Sequence, residues 1–403
     1  MQRRNGMRIR SINAEKMGLS NRLTLLNLIR TTPGVSRREL ARLAGLDPST
    51  VTKIITSLLE KGLVIEHGVR DADHPGRKSI MLRVSREAAT ALVAEIGVEK
   101  TRIARGFLDA SFDILDEFDT PLEERSFFST FAESLRTKAF ASPRTDYCAL
   151  SVAVPGMVEW GSNMLRYLPH IGWKNVDFET RLEGHFPGLN LPVFTANEAK
   201  LSLIAEMFRN GGVSGLHSGV YVYLSQGVGG AILMGDKIIH GLSNTAGELG
   251  HMTIDPKGPL CHCGNHGCFE TFVSIDRVVK NFEQSGSLLP GDDFRGKFRS
   301  ILERFSKGDE HSRAVLEEMG QFLATGVANL VNILNPDFIM LGGMGSILPG
   351  SFVSEVSELV AKKAPGAVSP GFLLTTASLG IESAALEGAT LMAMNHFVKK
   401  AVQ

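Results

Sequence analysis

Three of the four cysteines in this chain fall within eight residues. They are Cys261, Cys263 and Cys268, in the run Cys-His-Cys-Gly-Asn-His-Gly-Cys-Phe-Glu, and His251 precedes the first of them by ten positions. Three thiolates and one imidazole complete the tetrahedral shell of a zinc ion and leave no open position, so the ion they would hold is structural rather than catalytic. Gly264 and Gly267 let the backbone turn tightly enough for the sulfurs to converge. His262 and His266 lie in the same run as rival ligands, and a chance cluster of buried thiols is the alternative. A disulfide framework is disfavoured: the cluster is odd in number, and the N-terminal arginines have no apolar stretch behind them as a secretion signal would. The same observation predicts a cytoplasmic location.

The chain has 403 residues, enough for two or three domains, and a formal net charge of zero. That zero hides an asymmetry. Residues 1–90 carry 17 Lys and Arg against 8 Asp and Glu, whereas the remainder carries 26 against 35. A basic N-terminal portion on an acidic body points to a nucleic-acid-binding module, with a solvated basic tail as the alternative reading. No apolar run approaches the ~18 residues of a membrane span, so no membrane partner is expected.

The elements that would present the basic portion are legible. Leu23, Leu26 and Ile29 recur at helical spacing over residues 19–31, and Thr31-Thr32-Pro33-Gly34 ends that helix. Ser36 suits the N-cap of a second helix through Glu39, Leu40 and Leu43, and Gly45-Leu46 supplies a tight turn. Asp47 caps a third helix with Pro48 at its first position. Val51, Ile54, Ile55, Leu58 and Leu59 give it one apolar face. This is helix-turn-helix spacing. The opposite face carries Ser49, Thr50, Thr52, Lys53 and Thr56, short polar groups able to reach bases and phosphates from a helix in the major groove. Leu63–Glu66 and Ser79–Arg83 read as the two strands of a wing, whose tip offers Arg77 and Lys78 to a narrow minor groove. The segment resembles the winged-helix modules of bacterial repressors, and a helical hairpin used for protein contacts is the alternative.

From about residue 90 the pattern becomes strands alternating with helices, rich in glycine. Residues 92–98, 148–154, 219–224 and 338–341 read as strands of an α/β body, each ending near a glycine-bearing turn. Several motifs then occur together: Val154-Pro155-Gly156-Met157-Val158, Asn197-Glu198-Ala199-Lys200 followed by Glu206, Gly227-Val228-Gly229-Gly230, the cysteine run, and Asn335-Pro336-Asp337 before Leu341-Gly342-Gly343. In these the body resembles the ROK family of sugar kinases and their repressor relatives, over about residues 90–400. The resemblance implies an N-terminal all-α winged helix-turn-helix followed by an α/β, two-lobed, actin-like (ribonuclease H-like) body. The expected organisation is a basic arm at 1–18, a DNA-binding domain at 19–85, and a sensor and dimerisation domain at 90–403 with its zinc loop at 251–268.

The resemblance also marks departures. Family kinases open with an Asp-x-Gly-Gly-Thr-Lys turn around the ATP phosphates. Here the stretch reads Glu95-Ile96-Gly97-Val98-Glu99-Lys100, which sets a carboxylate against a triphosphate and a β-branched residue against close backbone approach. Their second phosphate turn starts Gly-Thr-Gly; here it reads Ser225-Gln226-Gly227. Their Asn-Asp-Ala-Asn, with Asp as general base, is here Asn197-Glu198-Ala199-Lys200, which moves the carboxyl about one methylene (~1.5 Å) outward. Kinase activity is therefore not expected. The sugar-binding positions are better kept, and the resemblance maps them to Asn197, Glu198, Glu248, His251 and Glu270. Carboxylates suit that task because one oxygen pair accepts hydrogen bonds from two vicinal hydroxyls. The expected protein is a regulator, by resemblance a repressor, that binds operator DNA as a homodimer or homotetramer. It would answer to a sugar or sugar phosphate and hold one structural zinc through His251, Cys261, Cys263 and Cys268. Release by a partner protein, or an active sugar kinase, are the alternatives.

Overall fold

A computed structural model describes residues 14–70, 79–141, 146–159, 161–186, 191–209, 217–235, 237–243, 245–284, 288–291, 293–369 and 371–403. Residues 1–13 of the expected basic arm and the wing tip, with Arg77 and Lys78, lie outside the described residues, and residues 14–18 of that arm belong instead to the first helix, which starts at Ala14 rather than near residue 19. The chain divides into two compact units. The first comprises Met1–Thr90 together with Phe107–Ser111 and Met394–Gln403; the second comprises Ala91–Gly106 and Phe112–Ala393.

The first unit holds α1 (Ala14–Thr31), β1 (Val35–Ser36), α2 (Arg37–Ala44), α3 (Pro48–Glu60), β2 (Val64–Arg70) and β3 (Ser79–Val84). Leu25, Leu26 and Ile29 of α1, Leu40 of α2, and Val51, Ile55 and Leu58 of α3 close a common core. Ser36 accepts a hydrogen bond from the Glu39 amide while Glu39 reaches back to the Ser36 amide, a reciprocal capping box. Gly45 ends α2 in the left-handed region at φ 61°, where only glycine is free of strain. Asp47 caps α3 with Pro48 behind it, as the sequence predicts. The wing differs in detail. Its sheet has three strands in the order β1-β3-β2, with Val35 opposite Leu82 and Ser36 opposite Met81. Strand β2 runs to Arg70 rather than ending near residue 66, with an irregular register between Glu66 and Val69 and Gly68 at φ 75°. A two-residue strand and a bulged one both break the period-2 alternation by which strands are read.

Arg30 ties the three segments of this unit together. Its side chain is almost wholly buried. Nε donates to Leu108 O at 2.9 Å and Nη1 to Asn395 Oδ1 at 3.1 Å. Burial lowers its pKa to about 10, with the nearby Asp109 opposing. Lys61, at the end of α3, donates to Ala401 O at 2.6 Å.

The second unit begins with β4 (Thr90–Ile96), β5 (Lys100–Phe107), β6 (Phe112–Asp119), α4 (Glu124–Ser134) and β7 (Tyr147–Val154). A small sheet of β8 (Met157–Glu159), β9 (Met164–Leu168) and β10 (Trp173–Asp177) precedes α5 (Phe178–His185), β11 (Val193–Asn197) and α6 (Glu198–Arg209). A second large sheet takes β12 (Ser218–Leu224), β13 (Val228–Met234) and β14 (Lys237–Ile238), then β15 and β16 from beyond the helices. Those helices are α7 (Glu270–Val273), α8 (Ile275–Gln284), α9 (Phe294–Ser306) and α10 (Glu310–Leu334). The chain closes with β15 (Phe338–Gly343), α11 (Gly350–Lys363), β16 (Leu373–Thr376) and α12 (Ala384–Ala401). The two five-stranded sheets run β11-β7-β4-β5-β6 and β14-β13-β12-β15-β16. Strands β4, β7, β12 and β15 are buried along nearly their whole length, which is why they read as unbroken apolar runs. Strand β4 ends at Ile96, two residues before the predicted end. Gly97 turns there, its amide donating to Lys100 O at 2.8 Å; a Cβ at this glycine would stand 2.7 Å from that oxygen.

Two motifs that carry the resemblance brace the scaffold. Glu206 accepts from Ser378 Oγ at 2.7 Å and from the Leu379 amide at 2.6 Å. Asn335 caps α10 at φ 42°, and Asp337 accepts from the His217 and Ser218 amides at the start of β12.

Replacing Arg30 with Leu removes the donor that Leu108 O and Asn395 Oδ1 share. The expected cost is about 1–3 kcal/mol, the penalty for leaving buried acceptors unpaired. Urea denaturation measures it, and an unchanged midpoint would mean that the three segments hold together without the guanidinium.

Candidate functional site

The ends of β4, β11, β12 and β13, the start of α9 and the cysteine loop bound a cleft of about 820 Å³, open solvent included. All five residues expected to bind sugar line it: Asn197, Glu198, Glu248, His251 and Glu270. Each is placed by backbone geometry. Asn197 ends β11 and caps α6, its Oδ1 accepting from the Ala199 and Lys200 amides at 3.0 and 3.2 Å while Nδ2 donates to Gly156 O at 3.0 Å. Its polar atoms are thus largely spent on the scaffold. Glu198 opens α6. Glu248 and His251 flank the single turn at Leu249–His251, which packs so closely on β13 that a Cβ at Gly250 would stand 2.1 Å from Val228 O. Gly227 is less tightly constrained: its missing Cβ would stand 3.0 Å from His170 Nε2 and 3.1 Å from Glu270 Oε2, both side-chain atoms.

The charges in the cleft are compensated one by one. Arg102 bonds Glu95, and its other nitrogen reaches Glu382 Oε2 at 3.2 Å. Arg295 donates to Glu382 Oε1 at 3.0 Å. Burial raises the Glu198 carboxyl to about 8, with the nearby Glu95 adding to the rise and Arg295 and a Tyr223 hydrogen bond opposing it. Burial also raises Glu248, against the field of Lys200, and lowers Lys200, against the field of Glu248. Burial acts to raise Glu270 too, but hydrogen bonds from His262 and Cys261 prevail and hold its carboxyl below the usual range. The two glycine-bearing turns are tied together, Gln226 Nε2 donating to Glu99 Oε1 at 3.1 Å.

Beside the cleft the cysteine loop folds back on itself. The Cys261 amide donates to Asn265 O at 2.8 Å and the Gly264 amide to Cys261 O at 2.9 Å. Gly264 and Gly267 sit at φ 91° and 66°, and a Cβ at Gly267 would overlap Asp255 O at 1.5 Å. The ligand atoms of His251, Cys261, Cys263 and Cys268 all lie within 4.8 Å of one another. A second combination, His251, Cys261, His262 and Glu270, meets the same criterion. Tetrahedral geometry separates them. Two thiolates about 2.3 Å from zinc lie roughly 3.8 Å apart, and a thiolate and an imidazole roughly 3.6 Å. Cys263 and Cys268 Sγ are 3.7 Å apart, and Cys261 Sγ is 3.6 Å from His251 Nδ1. In the second set Cys261 Sγ is only 2.8 Å from Glu270 Oε1, a hydrogen bond rather than a ligand–ligand edge. The residues of the first set fit zinc. Of the two rival histidines, His262 turns to Glu270, with Nδ1 at 3.0 Å from Oε1, and His266 Nδ1 lies 3.2 Å from Gly258 O.

The DNA-facing expectations fall on α3. Ser49, Thr52, Lys53 and Thr56 are exposed and Thr50 is half-buried. The Thr52 hydroxyl donates to Pro48 O at 2.8 Å, leaving it only acceptor capacity. His170, Tyr223 and Arg295 are cleft residues that sequence reasoning missed. They come from separate stretches, and no local spacing marks them as partners.

The sequence matches the ROK family over residues 93–396. The chain is a member of the ROK family. Residues 19–65 match a winged helix-turn-helix DNA-binding module. Among similar proteins, a putative xylose repressor of Caldicellulosiruptor sp. is 28% identical over 364 residues, covering 85% of this chain and 88% of the relative. The DNA-binding transcriptional dual regulator NagC of Escherichia coli is 28% identical over 346 residues, covering 82% of each. A crystal structure of a ROK family transcriptional regulator, a homologue of the E. coli Mlc protein, superposes with a TM-score of 0.72 at 23% identity and covers 96% of both chains. A ROK family glucokinase from Streptomyces griseus, in complex with glucose and AMPPNP, gives 0.64 at 22% identity, covering 75% of this chain and 99% of the kinase. The fold is thus a winged helix-turn-helix joined to the actin-like ROK body. No helix among the described residues is long and apolar enough to cross a membrane.

The raised carboxyl of Glu198 has a pH signature. The folded chain keeps this proton up to about pH 8, whereas the unfolded chain releases it near the ordinary value of 4.5. Stability therefore declines as pH rises between those values. Glu198→Gln abolishes that decline and gains on the parent by on the order of 2–4 kcal/mol near pH 9 and by nothing near pH 4. Urea unfolding at several pH values checks it; parallel pH profiles for the two proteins would refute the assignment.

Proposed function

We propose that this chain is a transcriptional repressor whose operator affinity is set by a sugar bound in the cleft of its ROK body. One observation carries the reading. The hydroxyl-binding side chains Glu248, His251 and Glu270 converge on one cavity, while the turns that a kinase would wrap around ATP are bridged by the Glu99–Gln226 hydrogen bond. A carboxylate in a phosphate turn repels a triphosphate, and Glu198, mostly protonated near neutrality, is a poor general base. The body therefore binds without phosphorylating. Relatives named xylose repressor and N-acetylglucosamine repressor support a monosaccharide as the effector class.

In this reading α3 enters the major groove of operator DNA, with Ser49, Thr50, Lys53 and Thr56 nearest the bases and phosphates and Thr52 accepting. Arg77 and Lys78 reach the minor groove from the wing. The protein works in the cytoplasm as a homodimer or homotetramer, whose paired winged helices meet half-sites roughly one helical turn (~34–36 Å) apart. The sugar acts as inducer by favouring the arrangement that fits DNA less well. His251, Cys261, Cys263 and Cys268 would hold one zinc ion, which would cross-link the loop. The protein groups around that site do the rest: His262 holds Glu270, and the Leu249–His251 turn holds Glu248.

Two experiments test this. Lys53→Ala combined with Thr56→Ala lowers affinity for the operator tenfold or more, about 1.4 kcal/mol, with the circular dichroism spectrum unchanged; anisotropy of labelled upstream DNA reads it, and full affinity would remove α3 from the groove. Metal analysis of freshly purified protein finds about one zinc per chain, lost in Cys263→Ser; metal-free protein with intact fold and DNA binding would remove the zinc from the account.

A further inference from the structure

We infer that the effector taken by this cleft is a neutral, unphosphorylated sugar, a refinement that rests on the sugar-sensor reading above. Five carboxylates line the cleft, those of Glu95, Glu99, Glu198, Glu248 and Glu270, against a single guanidinium, that of Arg295. A sugar phosphate brings a charge of roughly −1.5 to −2 at neutral pH and needs either a cation or a set of free backbone N–H groups to receive it. Among the described residues, the guanidinium and ammonium groups in and beside the cleft are engaged by carboxylates. Arg295 is engaged by Glu382 at 3.0 Å. Arg102 is shared between Glu95 and the same Glu382, and the Lys100 ammonium sits 2.6 Å from Asp119.

Two backbone donors, one in each turn, are committed as well. The Gly97 amide is used by Lys100 O and the Ser225 amide by Gly227 O, at 2.8 and 2.9 Å. Between these turns stands Glu99, held by Gln226, so an entering phosphate meets a carboxylate. The adjoining depression, which Arg295 also lines, holds four basic side chains against five acidic ones and is no better a receptor for an anion.

The same accounting disfavours a cation. Glu95 is met by Arg102 and Glu270 by His262, while Glu248 lies in the field of Lys200. Glu198 shares a hydrogen bond with Tyr223, and burial favours its neutral form. What the cleft presents is a ring of hydrogen-bonding edges with its charges already paired, and hydroxyl groups complement such edges.

The test uses full-length protein on labelled DNA from the gene's own upstream region. It is titrated with xylose, glucose and N-acetylglucosamine, with the 6-phosphates of the last two, and with glucosamine as the cationic probe. At least one neutral sugar should shift DNA affinity tenfold or more, with any phosphate or ammonium analogue at least tenfold less potent. Glu99→Gln should then narrow the discrimination against the phosphate by tenfold or more. A phosphorylated or cationic sugar that acts at lower concentration than every neutral one overturns the neutral-effector inference and leaves the sensor reading standing. Discrimination unchanged in Glu99→Gln overturns the role given to Glu99. Tight DNA binding that no sugar alters overturns the sensor reading and this inference together.

Discussion

Like charges crowded into a half-buried cleft cannot all ionise unless each finds a partner, and the body of this protein is arranged around that constraint. An uncompensated buried charge costs several kcal/mol, so every carboxylate of the cleft recruits a group from elsewhere in the fold. Arg102 comes from β5, Arg295 from α9, Tyr223 from β12, and Lys200 from the first turn of α6. Glu382, just before α12, takes both arginines. These partners belong to both large sheets, to two helices and to the segment before α12. The electrostatics of the cleft therefore depend on the relative placement of those elements, and a ligand that alters one pairing alters the balance among several.

The cysteine loop enters this balance through Glu270. Cys268 is buried and bridged to Thr253, and the next residue, Phe269, fills the space over Gly326 of α10, where a Cβ would stand 2.4 Å from the ring. Glu270 follows directly and is held from the other side by His262 of the loop. The carboxylate thus stands between a packed core and a loop of three thiols. Exchanging the core contact for a looser one would free Glu270 on one side only, and the loop would still fix it. This double anchoring ties the position of Glu270 at the edge of the cleft to the cysteine loop.

Much of this was legible before any coordinates. The caps at Ser36 and Asp47 and the turn at Gly45 are local signals, decided within four residues, and they place α2 and α3 correctly. The buried strands announce themselves as apolar runs. The cysteines are likewise visible as residue types at close spacing, whereas Glu248 and Glu270 are reached only through the resemblance to the ROK family, against whose phosphate turn Val98 and Glu99 stand out. What the chain conceals is pairing at long range. Glu99 and Gln226 are 127 positions apart, and Arg102 and Glu382 are 280 apart. His170 and Arg295 sit in unremarkable local sequence. Strand β1, only two residues long, exists because β3 lies beside it, and the enrolment of residues 107–111 and 394–403 in the first unit depends on where Arg30 finds its acceptors.

Helix α6 starts at Glu198 in the cleft. Three residues on, α12 lies against it so closely that a Cβ at Gly388 would stand 2.0 Å from Leu201 O. Strand β5 meets the same helix at Gly106, where a Cβ would come within 2.7 Å of Thr390. Neither contact leaves room for one element to slide over the other without moving it. Helix α12 continues to Ala401, and its residues from Met394 onward belong to the unit that contains α3, where Asn395 receives Arg30 and Ala401 receives Lys61. Strand β5 and helix α12 each begin in the second unit and end in the first, so the division of the chain cuts across two continuous elements.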